Sequence, residues 1–241
     1  MNRAKGNMFK SVGWTWNFCP FCNHGCLECW AKMLHERRGM KRPFDEPYFN
    51  EKEFNVKFPA DGSWIFVCAT GDIMCPAMPD EWILRLLTRL DSPEASSNKF
   101  LLQTKNPMRF FHFIHRLNTL RDTRTVILGT TIETNRDTPW SKAPSTQKRY
   151  EALSELKALG YETFLSLEPL ADFDVATLSS WVKDINPLAV EIGLENYSNY
   201  LPKPPLDKIA ALYDDLTESY INIKLKNNLK GLIKTLREAS T

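Results

Sequence analysis

No stretch of eighteen apolar residues occurs anywhere in the 241-residue sequence, so the chain offers no candidate membrane helix. Its first residues, Met1 to Gly6, lack the hydrophobic core of a secretory signal peptide, and the protein is expected to be cytoplasmic. A surplus of one charge is missing as well. The 31 basic residues face 29 acidic ones, which gives no argument for a nucleic-acid coat protein or a membrane-surface protein, although local patches could still hold a nucleic-acid substrate. There is no internal repeat and no low-complexity tract, and the strongest breaker, Pro202-Lys203-Pro204-Pro205, reads as a loop ahead of a late helix. Residues 1–241 are therefore read as one domain, whose 43% apolar content suffices for a sizeable core. No cysteine lies beyond position 75. A disulfide framework would spread its six cysteines along a secreted chain, so this clustering points to a reducing compartment and to thiols that ligate metal or react.

What is present is concentrated near the start. Cys22-Asn23-His24-Gly25-Cys26-Leu27-Glu28-Cys29 spaces three cysteines by three residues and then by two. Loops that short let three sulfurs turn toward one metal site. Iron–sulfur clusters usually take four cysteines, and three suffice when one iron is left for another ligand. Cys19, separated from Cys22 by two residues, adds a fourth thiol, so a structural zinc site of four cysteines in a non-catalytic nucleic-acid-binding protein is the competing reading. His24, inside the loop, reads as a hydrogen-bonding residue. The basic run His35, Arg37, Arg38, Lys41 and Arg42 is either a solvated face or a phosphate contact.

Downstream, strand and helix periods alternate. Residues 12–18 form a first strand that enters the cysteine loop, and Trp30 to Arg38 a helix stopped by Gly39. Strands follow at 64–68, 100–104, 126–129, 163–167 and 189–193, with a last extended piece at 221–224. The intervening helices carry apolar faces at Trp82, Ile83, Leu86, Leu87 and Leu90; Phe110, Phe113, Ile114 and Leu117; and Tyr150, Leu153, Leu156 and Leu159, this one closed by Gly160. Two more show Leu178, Trp181, Val182 and Ile185, then Ile209, Leu212, Tyr213 and Leu216, and a terminal helix is centred on Leu229, Leu232, Ile233 and Leu236. The aromatic stripe at 110–117 reads as core, with His112 and His115 at its edge. Single helices between strands are βαβ units, which require a parallel sheet. Six or seven strands predict an α/β fold, a partial (β/α)6-type parallel barrel open along one side.

In such sheets ligands gather at the carboxyl ends of the strands. Those ends read Thr70, Gly71, Asp72; Thr104, Lys105, Asn106; Thr130, Thr131, Glu133; Ser166, Glu168, Pro169; Gly193, Glu195, Asn196; and Lys224, Lys226, Asn227. Singly each has a bland explanation: Asp72 or Glu195 could cap a helix, and Lys105 could be solvated. Recurrence after strand upon strand is what those explanations leave out. A buried Lys105 would also need an anionic partner.

The cysteine spacing, together with Thr15-Trp16-Asn17, Thr104-Lys105-Asn106-Pro107, Gly129-Thr130-Thr131-Ile132-Glu133, Leu165-Ser166-Leu167-Glu168-Pro169-Leu170 and Ile192-Gly193-Leu194-Glu195, resembles the radical S-adenosylmethionine superfamily. The likeness is to an uncharacterised phage and prokaryotic branch similar to spore photoproduct lyase, over about residues 13–228. That branch usually has a longer gap between its first two cysteines, and many superfamily members place an aromatic residue where this chain has Glu28. The resemblance implies a [4Fe–4S] cluster on Cys22, Cys26 and Cys29 and S-adenosylmethionine as cosubstrate. It further implies Lys105 at the cosubstrate carboxylate, Thr70, Gly71 and Asp72 near its amino group, Thr131 and Ser166 near ribose or adenine, and Glu168 and Gly193 in the same binding set. An electron donor of flavodoxin or ferredoxin type and a substrate that includes a nucleic-acid base, in DNA or RNA, follow from the same resemblance. The lyases carry a hydrogen-donor cysteine at the end of the second strand. Here Ala69 takes that place, and Cys68 and Cys75 are the nearby candidates. An offset of one residue points Cys68 to the other face of its strand unless the backbone bulges.

Overall fold

The computed structural model describes residues 1–196 and 200–232, so the expected helix positions Ile233 and Leu236 and the basic residues beyond 232 lie outside the described residues. Eight strands form one sheet in sequence order. The short β1 (Asn2–Arg3) runs antiparallel to β2 (Trp14–Trp16). Parallel to β2 follow β3 (Trp64–Val67), β4 (Lys99–Thr104), β5 (Val126–Thr131), β6 (Glu162–Leu167), β7 (Ala189–Ile192) and β8 (Ile223–Leu225). Strands β1 and β8 are the two edges and do not pair, so the sheet is a half-barrel open along one side. Its seven parallel strands agree with the pattern of the sequence. β1 adds an antiparallel strand too short to leave a period.

Between the strands run α1 (Trp30–Arg37), α2 (Glu51–Phe54), α3 (Asp80–Leu90), α4 (Ile114–Asp122), α5 (Thr146–Ala158), α6 (Val175–Ile185) and α7 (Leu206–Glu218). The helix expected to carry Phe110 starts as a 3-10 helix, Pro107–Phe113, and becomes α4 only afterwards; Phe110 and Phe113 are buried all the same. Ser145 caps α5 by accepting from the Lys148 N–H, and Gly160 beyond its end has φ +88°, the left-handed conformation that glycine adopts without strain. Among the described residues no helix is long and apolar enough to cross a membrane.

Alternation along each strand sorts the core into an outer and an inner layer. Ile65 and Val67 of β3 pack outward with Ile83, Leu86 and Leu90 of α3, while Phe66 between them faces the concave side with Leu101, Ile127 and Phe164. The concave side is filled by residues 4–12, a strap leading from β1 to β2. Its Phe9 ring stacks on Phe66 at 5.3 Å and meets Phe164 at a tilt, 5.0 Å between ring centres. Glu191 of β7 accepts from the Lys10 and Ser11 backbone N–H groups at 2.7 and 2.8 Å, and buried Lys226 donates to the Asn7 carbonyl at 2.6 Å. Lys226, read from the sequence as a polar strand-end residue, is thereby turned inward and almost wholly buried.

Candidate metal centre

Above the strap, at the carboxyl ends of the strands, lies a cavity of about 330 Å3. Cys22, Cys26 and Cys29 all line it; Cys19, Cys68 and Cys75 do not. Gly71 sets this arrangement. A Cβ there would stand 2.4 Å from the Cys19 carbonyl and 2.6 Å from that of Phe21, so only glycine lets the end of β3 meet the backbone that carries the cysteines.

Asp72 fastens the same loop. Its Oδ1 accepts from the Thr104 hydroxyl at 2.6 Å and the Met74 N–H at 2.9 Å, and its Oδ2 from the Lys105 N–H at 2.8 Å, with His24 Nε2 at 3.1 Å. Burial alone would raise this carboxyl, but His24 and the hydrogen bonds outweigh it and hold it below the ordinary aspartate range. His24 is thus a hydrogen-bonding residue.

Lys105, 16% exposed, is held by protein carboxylates. Its Nζ lies 2.7 Å from Glu28 Oε1, pairs also with Glu133, and reaches Cys26 Sγ at 3.6 Å. Burial would lower the ammonium, yet Glu133, Cys26 and Glu28 hold it well above its usual value. Glu133 is fully buried and shares its other oxygen with Arg149 Nη1 at 2.7 Å; despite the burial, Arg149 and Lys105 bring its carboxyl down to about 2. Glu28 Oε2 is buried with no partner.

The three thiols differ in what they receive. Cys22 and Cys29 take backbone N–H groups, from His24 at 3.5 Å and Lys32 at 3.4 Å. Cys26 takes two side chains, the Lys105 ammonium and the Ser141 hydroxyl, the latter at 3.0 Å. Burial pushes the Cys26 and Cys29 thiols up, and at Cys26 it does so despite the Lys105 ammonium beside it.

Of the other residues singled out in the sequence, Asp72, Lys105, Thr131 and Glu168 line the cavity with Gly71, whereas Thr70, Ser166 and Gly193 do not. Ser166 is buried beside Thr131 in the sheet register, and the Thr70 N–H is bonded to Asn17. A Cβ at Gly193 would meet Lys226 at 2.7 Å and Glu168 at 2.8 Å, so glycine makes room for that ion pair. Glu168, half of it, is pushed up by burial despite Lys226 at 3.0 Å. Cys68 has left the extended conformation, with φ +55°, and is buried in the outer core with Cys75. The sequence reading missed Arg149, Glu28 as a buried partner, Gln103 and the strap residues Asn7 and Phe9, all at or behind the cavity wall. Arg149 had a signal: it shares the inward face of α5 with Leu153 and Leu156.

Three thiols around one cavity fit a cluster better than a lone ion. Sulfurs on one tetrahedral zinc lie roughly 3.8 Å apart. Among the described residues the one trio of metal-binding atoms gathered within 4.8 Å of one another is Cys22, His24 and Asp72, so the three cysteine sulfurs are spread more widely than zinc requires. Cys19 is wholly buried outside the cavity lining, and its thiol is pushed up by burial and by its hydrogen bond with Cys68. Nothing in this geometry favours the four-cysteine zinc site.

No curated protein matches the sequence. Solved structures do match the fold. A spore photoproduct lyase with bound AdoMet and dinucleoside spore photoproduct superposes with a TM-score of 0.57 at 13% identity, over 90% of this chain and 64% of that one. SuiB of Streptococcus suis bound to S-adenosylmethionine gives 0.58 at 9% identity, over 89% of this chain and 50% of that one, and a radical SAM methyltransferase from Sphaerobacter thermophilus gives 0.51 at 13%, over 91% and 67%. The chain thus spans less than two thirds of the lyase and half of SuiB. Its half-barrel is the radical SAM fold, related to that of spore photoproduct lyase. A family profile described as Protein of unknown function (DUF5131) matches residues 10–184, well over half of the chain, and the protein belongs to that family.

Proposed function

We propose that this protein is a radical S-adenosylmethionine enzyme in which Cys22, Cys26 and Cys29 hold a [4Fe–4S] cluster. The observation that carries the proposal is the division of the six cysteines: these three alone line the cavity at the carboxyl ends of the parallel strands. When bound, such a cluster supplies one electron to the sulfonium of S-adenosylmethionine, whose carbon–sulfur bond breaks to give methionine and a 5′-deoxyadenosyl radical that takes hydrogen from a substrate. The residues of the chain position and shield. Gly71 and Asp72 fix the cysteine loop, Lys105 and Ser141 place donors on Cys26, and Thr131 and Glu168 offer polar atoms to the cosubstrate. Lys105 takes a cosubstrate carboxylate by exchanging it for Glu28, to which it is bonded at 2.7 Å. Phe9, Phe66 and Met8 line the apolar floor that keeps water from the reacting carbon. A nucleic-acid base is the substrate class proposed, supported by the fold shared with a lyase whose structure holds a dinucleoside.

The test is anaerobic reconstitution with iron and sulfide, then dithionite and S-adenosylmethionine, with 5′-deoxyadenosine as the product measured. A brown protein that forms it is expected, with Cys26→Ala inactive and Cys19→Ala retaining activity. A colourless protein with one zinc per chain, or equal losses in both variants, overturns the proposal.

A further inference from the structure

We infer that Ser141, in the connection between β5 and α5, is a positioning residue of the metal centre that sets its electron affinity through Cys26; the inference rests on the proposed cluster. Ser141 lies 115 residues from Cys26 in sequence, yet its Oγ stands 3.0 Å from that sulfur. The direction of this bond follows from its surroundings. Ser141 Oγ already accepts from the Ala143 N–H at 3.1 Å, so its own proton is free to be given, and a metal-bound thiolate can only accept. Two backbone bonds hold the serine in place, one on each side: the Leu27 N–H donates to the Trp140 carbonyl at 2.9 Å, and the Lys142 N–H to the His24 carbonyl at 2.8 Å. The connection and the cysteine loop are thereby laced together with Ser141 between the laces.

The result is an asymmetric ligand set. Cys26 receives a hydroxyl and an ammonium from side chains, whereas Cys29 receives backbone contacts alone and Cys22 a long backbone contact beside its hydrogen bond with the Cys75 thiol. Hydrogen bonds to a ligating sulfur withdraw charge from it and favour the reduced state of an iron–sulfur centre. Ser141 therefore makes the cluster easier to reduce. In the reaction measured, one electron passes from dithionite through mediators to the cluster, and no proton or bond changes place.

Wild type, Ser141→Ala and Ser141→Thr are reconstituted anaerobically, assayed for iron and sulfide, and titrated with the reduced cluster followed by electron paramagnetic resonance. Ser141→Ala is expected to keep its iron and sulfide but to be about tenfold harder to reduce, a shift of the midpoint by about 59 mV to the negative for one electron. Ser141→Thr, which retains the hydroxyl, is expected to titrate like wild type. An unchanged midpoint in Ser141→Ala overturns the inference while leaving the proposed function standing. Loss of the cluster in Ser141→Ala but not in Ser141→Thr also overturns it, since the hydroxyl then serves assembly and not potential. A wild-type protein that takes up no iron and sulfide overturns the proposed function first and this inference with it.

Discussion

The six cysteines fall into two trios of opposite character, although Cys19 and Cys22 are separated by only two residues. Cys22, Cys26 and Cys29 face the cavity and receive N–H, O–H and ammonium donors. Cys19, Cys68 and Cys75 are packed among Trp16, Phe18, Ile73 and Leu86, and the Cys75 thiol is drawn below its usual range by its hydrogen bond with Cys22. Burial pushes up the thiols of Cys19, Cys26 and Cys29 alike, so burial does not separate the trios. What sets Cys26 apart is its pair of side-chain donors, Lys105 and Ser141, and both come from distant parts of the chain.

The comparison breaks hardest where those donors are removed. Lys105→Met leaves Glu28 buried without its cation, and destabilisation by about 3–5 kcal/mol is expected in urea unfolding of the cluster-free protein. An unchanged midpoint would mean that the donors around Cys26 carry no structural weight. Gly71→Ala comes next. Its methyl would press on the Cys19 and Phe21 carbonyls, so a loss of about 1–3 kcal/mol and a several-fold fall in iron uptake are expected together. Iron uptake equal to wild type would show that the loop finds its place without this contact. Cys68→Ser sharpens the contrast from the other side. A hydroxyl in that apolar pocket should cost about 1–2 kcal/mol while leaving iron binding untouched. The smallest effect lies at the surface, where Arg136 bridges Asp172 and Asp174 at the start of the connection that carries Ser141. Arg136 holds Asp174 down to about 2, and Lys208 and Arg136 hold Asp172 below the usual range. Both carboxyls are thus lowered in the folded state, so their contribution is present above about pH 4 and fades as pH falls toward 2. Arg136→Ala should flatten that acid limb of the Tm profile slightly, and a limb of unchanged slope would assign it to other carboxylates.

Much of the scaffold was legible in the chain. Each parallel strand from β3 to β7 carries a compact apolar run such as Trp64-Ile65-Phe66-Val67, and the cysteine spacing marks its loop without help from the fold. Lys105 was legible as a cation in need of an anion, but its partners Glu28 and Glu133 were not, because ion pairing over such separations leaves no period in the sequence. Ser141 was hidden for the same reason: a serine in a long connection looks like any loop residue until the connection folds back on Cys26. The strap was hidden too, since Asn7 and Phe9 gain their meaning from Glu168, Lys226 and Phe164.

That strap imposes an order on biogenesis. Asn7 meets Lys226 across 219 positions, so on a ribosome adding roughly 5–20 residues per second the cavity floor waits about 10 to 40 seconds for its last fastener. The cysteine loop leaves the ribosome well before Lys226 does, so the strap under the cavity gains this hydrogen bond only after the three thiols are already exposed to the medium.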